Sequence, residues 1–319
     1  MRTITERERD LILDVRNEGL TSLPPAIIEK DLLITEVLRT VVAADSDDIQ
    51  LVFCGGTCLS KAHGLIARMS EDIDFKLVLP PDLSRNARAR LLSQFKKRMA
   101  AILENAGFAV PTEEIVARDE NSYVLLNLHY ESRFAPVASL RPEIKVELNA
   151  RAPLLPTARL PIVSMLDALI QTPRTDCQVQ CIGVEEAVLE KVLSFLRRTA
   201  KARASHRRAA ADDDRLVRHL YDVAAIARRR QGLALPHECF VTLVADDAAQ
   251  FRHQYPEFED DPVSQMRAAL QALHHDADAF ERDYRRFVDE LVFGEPLPFA
   301  QARAVFIELA ESLIEQMKA

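Results

Sequence analysis

The sequence has few of the residues that usually fill or cross-link small domains. Its 319 residues include no tryptophan, only 8 glycines and 6% aromatic residues, whereas 48% are hydrophobic. The core must therefore consist mainly of Leu, Ile, Val and Ala, and we expect a globular, helix-rich protein. Because the length exceeds that of most single domains, we also expect two lobes.

Cysteine is scarce and lacks the spacing of a metal or redox site. None of the five cysteines belongs to a C-x-x-C pair or lies in a histidine cluster. We expect them to be small buried hydrophobic side chains. Their positions are Cys54, Cys58, Cys177, Cys181 and Cys239.

Long apolar runs are also lacking. The first ten residues, MRTITERERD, are charged from the second position and contain no apolar signal region. No later window approaches the roughly 18 to 20 apolar residues that span a bilayer. We therefore predict a soluble, cytoplasmic protein with no membrane partner.

The net charge is −8, which argues against a protein that coats nucleic acid nonspecifically. Positive charge is nevertheless concentrated in the basic helix predicted over 84–106 and in two later runs. Each run is either a solvated helix face or a track for RNA phosphates. The two runs comprise Arg197, Arg198, Lys201, Arg203, His206, Arg207 and Arg208, and then Arg228 to Arg230.

The stretch 51–79, LVFCGGTCLSKAHGLIARMSEDIDFKLVL, contains the strongest candidate site. An apolar run ends at Gly55-Gly56-Thr57, about four helical turns are predicted to follow, and an extended pattern then carries Asp72 and Asp74. In a strand, residues two apart point to the same face, so the two aspartates should project together while Ile73 packs the other way. Two carboxylates this close repel each other unless a cation lies between them, and Mg²⁺ suits such oxygens best, with Mn²⁺ as a possible substitute.

The glycines predict an anion site beside these carboxylates. A strand that ends in Gly-Gly-Thr lets main-chain N–H groups approach a ligand closely, and the following helix presents its positive end. A triphosphate on the turn and metals on the aspartates together indicate in-line phosphoryl or nucleotidyl transfer.

The pattern resembles polymerase-β-like nucleotidyltransferases, in which a later strand carries a third carboxylate between apolar residues. Val146-Glu147-Leu148 fits that element. Within this superfamily, the sequence is similar to the AbiEii/AbiGii toxins, which include the MenT-type toxins of toxin-antitoxin systems. The matching residues are GGT, then Leu59, Ser60, Lys61, Arg68, Ser70, Glu71, Asp72, Ile73 and Asp74.

A later signature of that family pairs a helical lysine with a downstream aspartate. Lys191 and Asp222 resemble this pair, and His219 stands where the family more usually has an Asp. Asp222 lies among apolar residues, where a carboxylate needs a partner, and Lys191 is the candidate. The alternative for both is a local helix-surface ion pair.

The resemblance implies an α+β fold, with a polymerase-β-like core on a mixed sheet in residues 1–160 and a mainly helical domain in residues 161–319 that completes the active-site cleft. Magnesium would be held by Asp72, Asp74 and Glu147. In the resulting hypothesis the residues around the triphosphate cradle it or neutralise its charge, and Lys191 and Asp222 act in catalysis. The expected nucleotide-binding residues are Gly55, Gly56, Thr57, Lys61, Arg68 and Ser70.

The resemblance also implies an NTP substrate, a tRNA acceptor modified at its 3′ end, a loss of translation and a cognate antitoxin encoded nearby. Two alternatives stay open. One is nucleotidyl or phosphoryl transfer to a protein hydroxyl, and the other is nucleotide binding without turnover. For Lys30 and Asp31, in the helical region 5–44, we expect surface positions or salt bridges. Lys145 should either offset the carboxylate charge or form a cross-strand ion pair.

Overall fold

The computed structural model describes residues 1–44, 48–172, 175–204 and 216–317. The chain divides into two compact units, Met1–Ile182 and Gly183–Ala319. This division lies beyond the boundary predicted after residue 160, because the segment that follows residue 160 still contributes a strand to the sheet of the first unit. In the sequence, four prolines mark the region taken as the boundary, namely Pro153, Pro156, Pro161 and Pro173, of which Pro173 is outside the described residues.

The first unit combines helices with one sheet. Its helices are α1 (Glu6–Asn17), α2 (Pro25–Ala43), α3 (Gly55–Lys61), α4 (Arg85–Asn105) and α5 (Met165–Leu169). Its strands are β1 (Gln50–Cys54), β2 (Asp72–Val78), β3 (Val116–Arg118), β4 (Tyr123–Leu128), β5 (Ile144–Asn149), β6 (Ala158–Pro161) and β7 (Gln178–Cys181). The predicted helical regions 5–44, divided at Pro24-Pro25, and 84–106 are confirmed.

Within the described residues the sheet has seven strands, in the order β3-β4-β5-β2-β1-β7-β6. The pairs β2–β5 and β1–β7 are parallel, and the other neighbours are antiparallel. The sheet is therefore mixed, as predicted. Its central strand β2, which carries the aspartate pair, lies between β1 and β5, so Asp74 has a register partner on both sides, Cys54 and Glu147, whereas Asp72 is paired with Lys145 on β5.

One face of the sheet is core, and its residues alternate along β2 as predicted. Ile73 and Phe75 are fully buried, and the ring of Phe75 lies 5.4 Å from that of Phe53 on β1. On β5 the buried residues Val146 and Leu148 continue this face. The side chains between these positions consequently project from the opposite face.

The helix after the glycine turn is shorter than predicted. The sequence suggested about four turns, but α3 has only seven residues. Gly64, with φ +63°, reverses the chain, and the Leu65 N–H bonds the Leu59 carbonyl at 2.9 Å. Residues 62–71 form an irregular return to β2 because glycine adopts this left-handed conformation without the penalty that other residues incur.

Helix α2 buries three consecutive charged residues, Glu29, Lys30 and Asp31, with exposures of 0%, 0% and 5%. Each is hydrogen-bonded to a different segment of the first unit. Surface positions or salt bridges were expected for Lys30 and Asp31; both form salt bridges, but in the interior and not at the surface. Helix α2 therefore fixes the loops around β2 as well as contributing apolar core.

All the secondary-structure elements named in the described part of the second unit are helices, joined by short irregular segments. It contains α6 (Val184–Ala204), α7 (Arg218–Arg229), α8 (His237–Phe251), α9 (Pro256–Asp260), α10 (Pro262–His275), α11 (Ala277–Leu291) and α12 (Phe299–Gln316). Its core uses phenylalanine where tryptophan is lacking: the ring of Phe195 lies 5.9 Å from that of Phe280 and 4.8 Å from that of Phe306.

Most of the cysteines are buried as predicted, but Cys177 is partly exposed. All five lie among the described residues, none forms a disulfide, and four are buried. Burial raises the pKa of the Cys58 thiol, and neighbouring Cys181 raises it further. Among the described helices, none is both long enough and apolar enough to cross a membrane.

Candidate active site

The turn between β1 and α3 is closed by an aspartate of β2. Gly55 has φ +75°, and a Cβ at this position would lie 2.0 Å from Asp74 Oδ2. A side chain is thus excluded both by the backbone conformation and by the carboxylate. Gly55 holds the turn against Asp74, which joins the predicted anion-binding turn to the predicted metal-binding strand.

The second glycine makes room for two side chains of the return loop. A Cβ on Gly56 would lie 2.5 Å from Arg68 Nη2 and 2.9 Å from Ser70 Oγ. Both residues are buried, and Arg68 Nη1 donates to the Met69 carbonyl at 2.9 Å. The structure therefore brings Arg68 and Ser70 to the turn, as the predicted nucleotide site requires, and packs them against it.

Thr57 connects the turn to the start of β2. Its buried hydroxyl lies 3.0 Å from Ser70 Oγ and also bonds the main-chain carbonyl of Asp72. These contacts set the position of Asp72 relative to α3. Because the Asp72 contact is to the main chain, it does not depend on the carboxylate.

The three predicted carboxylates project from one face of the sheet. Asp72 and Asp74 are two apart on β2, and the parallel register pairs Asp74 with Glu147 on β5. Neighbouring strands are about 4.8 Å apart, so these two carboxylates start from adjacent positions. This pairing was not accessible from sequence spacing, since the two residues lie on strands that are far apart in the sequence.

Tyr123 on β4 is a site residue that the sequence analysis missed. Its hydroxyl donates to Glu147 Oε2 at 3.2 Å. Burial, together with the negative charges of Glu147 and Asp74, raises the pKa of Tyr123 to about 12. The phenol therefore stays protonated and acts as a donor at neutral pH. In the sequence, the only indication that Tyr123 faces the site was its alternation with the apolar Val124 along the predicted strand.

Two cations flank the first aspartate. Arg141 Nη1 pairs with Asp72 Oδ1 from the segment that precedes β5, and no motif marked this residue. Lys145 is the register partner of Asp72, but its ammonium lies 3.5 Å from Glu143 Oε1 on its own segment. Lys145 thus forms an ion pair with a neighbour along the chain, not across strands.

The donor set suits a divalent cation in its chemistry. Asp72, Asp74 and Glu147 offer hard carboxylate oxygens on one face, beside a glycine whose missing Cβ leaves space for the Asp74 carboxylate. Among the described residues, no three His, Cys, Asp or Glu side chains converge tightly enough to form a metal cluster. The Arg141 guanidinium on Asp72 supplies positive charge at the same face.

Lys61 lies at the opposite end of α3 from the glycines. Its buried ammonium is 2.5 Å from Asp31 Oδ1 and 2.8 Å from Thr35 Oγ1, while Asp31 Oδ2 accepts the Met165 N–H at 2.6 Å. Burial lowers the pKa of Lys61, and the Asp31 charge opposes this shift. These contacts tie α3 to α2 and α5.

Lys191 and Asp222 form the predicted pair within the second unit. Lys191 Nζ donates to Asp222 Oδ2 at 2.7 Å, with side-chain exposures of 8% and 0%. The expected partner of the buried Asp222 is therefore confirmed, and the alternative of a helix-surface pair is not supported. Its role in catalysis stays a prediction.

His219, the departure from the family pattern, lies one turn before Asp222. It is buried, and neither ring nitrogen has a hydrogen-bond partner among the described residues. Burial lowers the pKa of His219 well below its usual range, and the positive charges of Lys191, Arg218 and Arg198 lower it further, against the opposing charge of Asp222. The histidine is accordingly neutral in the folded protein.

This histidine predicts an acid-sensitive second unit. Because the unfolded chain takes up the proton first, the free energy of unfolding should fall below about pH 6.5, by up to about 1.4 kcal/mol per pH unit. His219→Leu should remove this component from the pH dependence measured by urea denaturation. The exposed His274→Gln on α10 is the control. Equal slopes in wild type and His219→Leu would contradict the prediction.

Some arginines of the two basic runs form ion pairs within the second unit. Arg197 pairs with Asp247 at 2.5 Å, and its guanidinium lies 3.8 Å from the centre of the Phe251 ring. Arg228 pairs with Glu295. His206, Arg207 and Arg208 lie outside the described residues, as does Asp212, where the sequence predicts the start of a helix that extends to Arg230. Arg197 therefore packs as part of the helical core.

The placement of oxygen donors beside a glycine turn, on a mixed sheet followed by a helical unit, defines the class of protein as a nucleotidyltransferase. Comparison with protein families is consistent with this class. The family described as "Nucleotidyl transferase AbiEii toxin, Type IV TA system" matches residues 36–305. The chain belongs to this AbiEii family of nucleotidyltransferase toxins, as its first signature predicted.

A solved structure is similar in fold. It is MenT4, a nucleotidyltransferase toxin from Mycobacterium tuberculosis, with a TM-score of 0.51 and 16% sequence identity. The similarity covers 96% of this chain and 92% of that one. No curated protein matches the sequence.

Proposed function

We propose that this toxin transfers a nucleoside monophosphate from an NTP to an RNA hydroxyl, with the 3′ end of tRNA as the acceptor. The observation that carries the proposal is the register of β2 and β5, which sets Asp74 beside Glu147 on the face that also carries Asp72. The Gly55 turn abuts this face. A nucleotide on the turn would therefore present its phosphates to three carboxylates.

In the reaction, the acceptor hydroxyl oxygen forms a bond to the α-phosphorus while the bond to the β-phosphate oxygen breaks. Pyrophosphate leaves, and the hydroxyl proton passes to a carboxylate of this face or to water. Asp72, Asp74 and Glu147 would hold Mg²⁺ or Mn²⁺. When bound, the metal would neutralise charge on the phosphates and on the attacking oxygen.

The residues of the turn would position the phosphates. Main-chain N–H groups of Gly55, Gly56 and Thr57 would donate to phosphate oxygens, with Arg68 and Ser70 behind them. Lys61 was predicted to neutralise the leaving group, but its ion pair with Asp31 favours a supporting role that fixes α3. Tyr123 would orient Glu147 through its hydrogen bond.

In the second unit, we propose that Lys191 and Asp222 take part in catalysis, as the family resemblance implies, with Asp222 orienting the ammonium of Lys191. The short contact between them supports an orienting role. The net charge of −8 restricts RNA binding to local positive surface. Exposed Arg90 and Lys97 on α4 offer such charge. A cognate antitoxin is implied because the family is one of toxin-antitoxin toxins.

The test uses the full chain with total tRNA, Mg²⁺ and each NTP labelled in turn at the α- or the γ-phosphate. We expect one or more α-labelled nucleotides to label tRNA with release of pyrophosphate, and no γ-label to be retained. The matched control is tRNA whose 3′-terminal diol has been oxidised by periodate, which should accept no label.

Other outcomes identify the alternatives. Label on oxidised tRNA would place the acceptor at an internal hydroxyl and overturn the 3′-end assignment. Label on protein would indicate a protein acceptor, with γ-label showing phosphoryl transfer. Nucleotide binding without any labelled product would indicate a binder without turnover.

A further inference from the structure

The segment between β4 and β5 places a guanidinium on the first carboxylate of the site. Arg141 Nη1 pairs with Asp72 Oδ1, and the side chains are 27% and 12% exposed. The planar fork of donors on a guanidinium matches the geometry of both carboxylates and phosphates. Its present partner is a predicted metal ligand, so a cation bound there would compete with Arg141.

A buried ion pair fixes the main chain of Arg141. Lys30 Nζ donates to Glu71 Oε1 at 2.6 Å and to the Arg141 carbonyl at 2.6 Å. The Arg141 N–H in turn donates to Glu71 Oε1 at 2.8 Å. Both main-chain polar groups of Arg141 are thus held by one pair of side chains.

Burying the Lys30–Glu71 ion pair costs free energy, so the position of this pair needs an explanation other than stability. Lys30 is 0% exposed and Glu71 is 5% exposed. Burial lowers the pKa of Lys30, and the Glu71 charge opposes this shift. Taking two charges out of water is expensive, and such a pair is weak evidence for stability by itself. Here its hydrogen bonds determine where the backbone of Arg141 lies.

The same segment is anchored again at its other end. Glu29, which precedes Lys30 on α2, accepts the Arg133 N–H at 2.8 Å and the Ser132 hydroxyl. Consecutive residues of one helix therefore hold both ends of the segment that carries Arg141. The backbone is fixed at these points, whereas the partly exposed Arg141 side chain can change its rotamer.

We propose that Arg141 is a substrate-binding residue that exchanges partners. It pairs with Asp72 in the absence of metal, and it transfers to the triphosphate when a divalent cation takes Asp72. Lys30 and Glu71 are positioning residues for this exchange. The inference rests on the proposed function. Its physical basis is that the cation displaces the guanidinium from Asp72 just as the phosphates bring new negative charge.

Two binding measurements on Arg141→Ala test the exchange. The first is Mn²⁺ affinity without nucleotide, followed by electron paramagnetic resonance. The second is the affinity for α,β-methylene triphosphates, which cannot release pyrophosphate, at saturating Mn²⁺. We expect Mn²⁺ affinity to rise about threefold or more, because a competing cation is removed from Asp72. Nucleotide affinity should fall about 10- to 100-fold, the usual cost of a lost charge-assisted hydrogen bond.

The control is Arg133→Ala. Arg133 lies on the same segment and is similarly exposed, at 31%, but it pairs with Glu6 of α1. It should leave both affinities unchanged. Arg141→Lys, which keeps the charge and loses the fork, should recover part of the nucleotide affinity.

The exchange predicts that Arg141→Ala raises the affinity for Mn²⁺ and lowers the affinity for nucleotide. A residue that only supports the structure of the site would not change the two affinities in opposite directions. If Arg141→Ala weakens both affinities, or changes neither, the exchange is overturned. If the wild type binds nucleotide and Mn²⁺ but labels no acceptor, the proposed reaction is wrong. The affinities of Arg141→Ala still decide whether the exchange occurs. If the wild type binds neither ligand, both proposals fail.

The positioning role has its own test, a double-mutant cycle. Lys30→Met should weaken nucleotide binding when Arg141 is present and have little further effect in Arg141→Ala. A loss of equal size in both backgrounds would show that Lys30 does not act through Arg141. The Arg141 measurements decide the exchange even if Lys30→Met does not fold.

Discussion

Asp72→Ala should reduce nucleotidyl transfer by about a thousandfold or more while the protein remains folded. A metal site contributes several kcal/mol of transition-state stabilisation, and each 1.36 kcal/mol is about a tenfold change in rate. The fold should survive because Thr57 bonds the main-chain carbonyl of Asp72, which the substitution keeps. The Arg141 side chain left behind is partly exposed, so its lost ion pair costs little.

The measurement is the initial rate of α-label transfer, with the melting temperature followed by circular dichroism. Asp176→Ala is the control, because that carboxylate is 72% exposed and outside the candidate site. Toxicity in cells should follow the rate in vitro. An Asp72→Ala protein that is still toxic would refute the mechanism.

Gly55→Ala should lower the transfer rate by about a hundredfold. The new Cβ would lie 2.0 Å from Asp74 Oδ2, so either the carboxylate or the turn must move. A displacement of about 1 Å at a reacting group costs about that much in rate. Stability should also fall, since a side chain in the left-handed region costs roughly 1 to 2 kcal/mol.

Gly64→Ala separates these two effects. Gly64 has φ +63°, close to the φ of +75° at Gly55, but no atom lies within 4 Å of a Cβ built there. This variant should lose a similar amount of stability to backbone strain and keep most of its activity. If both variants lose activity equally, contact with Asp74 is not the reason for the glycine at position 55.

Local patterns in the sequence were sufficient to predict several features of the fold and of the candidate site. Alternation along β2 predicted that Asp72 and Asp74 share a face, because side chains in any strand alternate regardless of its partners. The mainly helical character of the second unit was predicted as well, as an implication of the family resemblance. Residue by residue, the first signature pointed to the family that the chain belongs to.

The length of helix α3 was predicted wrongly and the partner of Lys61 was not predicted, because turn geometry and long-range packing decided them. Helix α3 ends after two turns because Gly64 reverses the chain, although the residues that follow it are compatible with a helix. Lys61 pairs with Asp31 on α2, a partner thirty residues away. Neither the chain reversal at Gly64 nor this ion pair could be recognised from the residues nearby in the sequence.

The sequence by itself determined the class of chemistry, since residue types at short spacing specify which groups share a strand face or a turn. Only the tertiary structure decided which strands are neighbours, and so brought Glu147 beside Asp74 and the Tyr123 hydroxyl to Glu147. It also placed Arg141 on Asp72 through the buried Lys30 and Glu71 pair. The physical reason is that strand order and loop anchoring depend on the packing free energy of the whole core, whereas periodicity is a property of each segment alone.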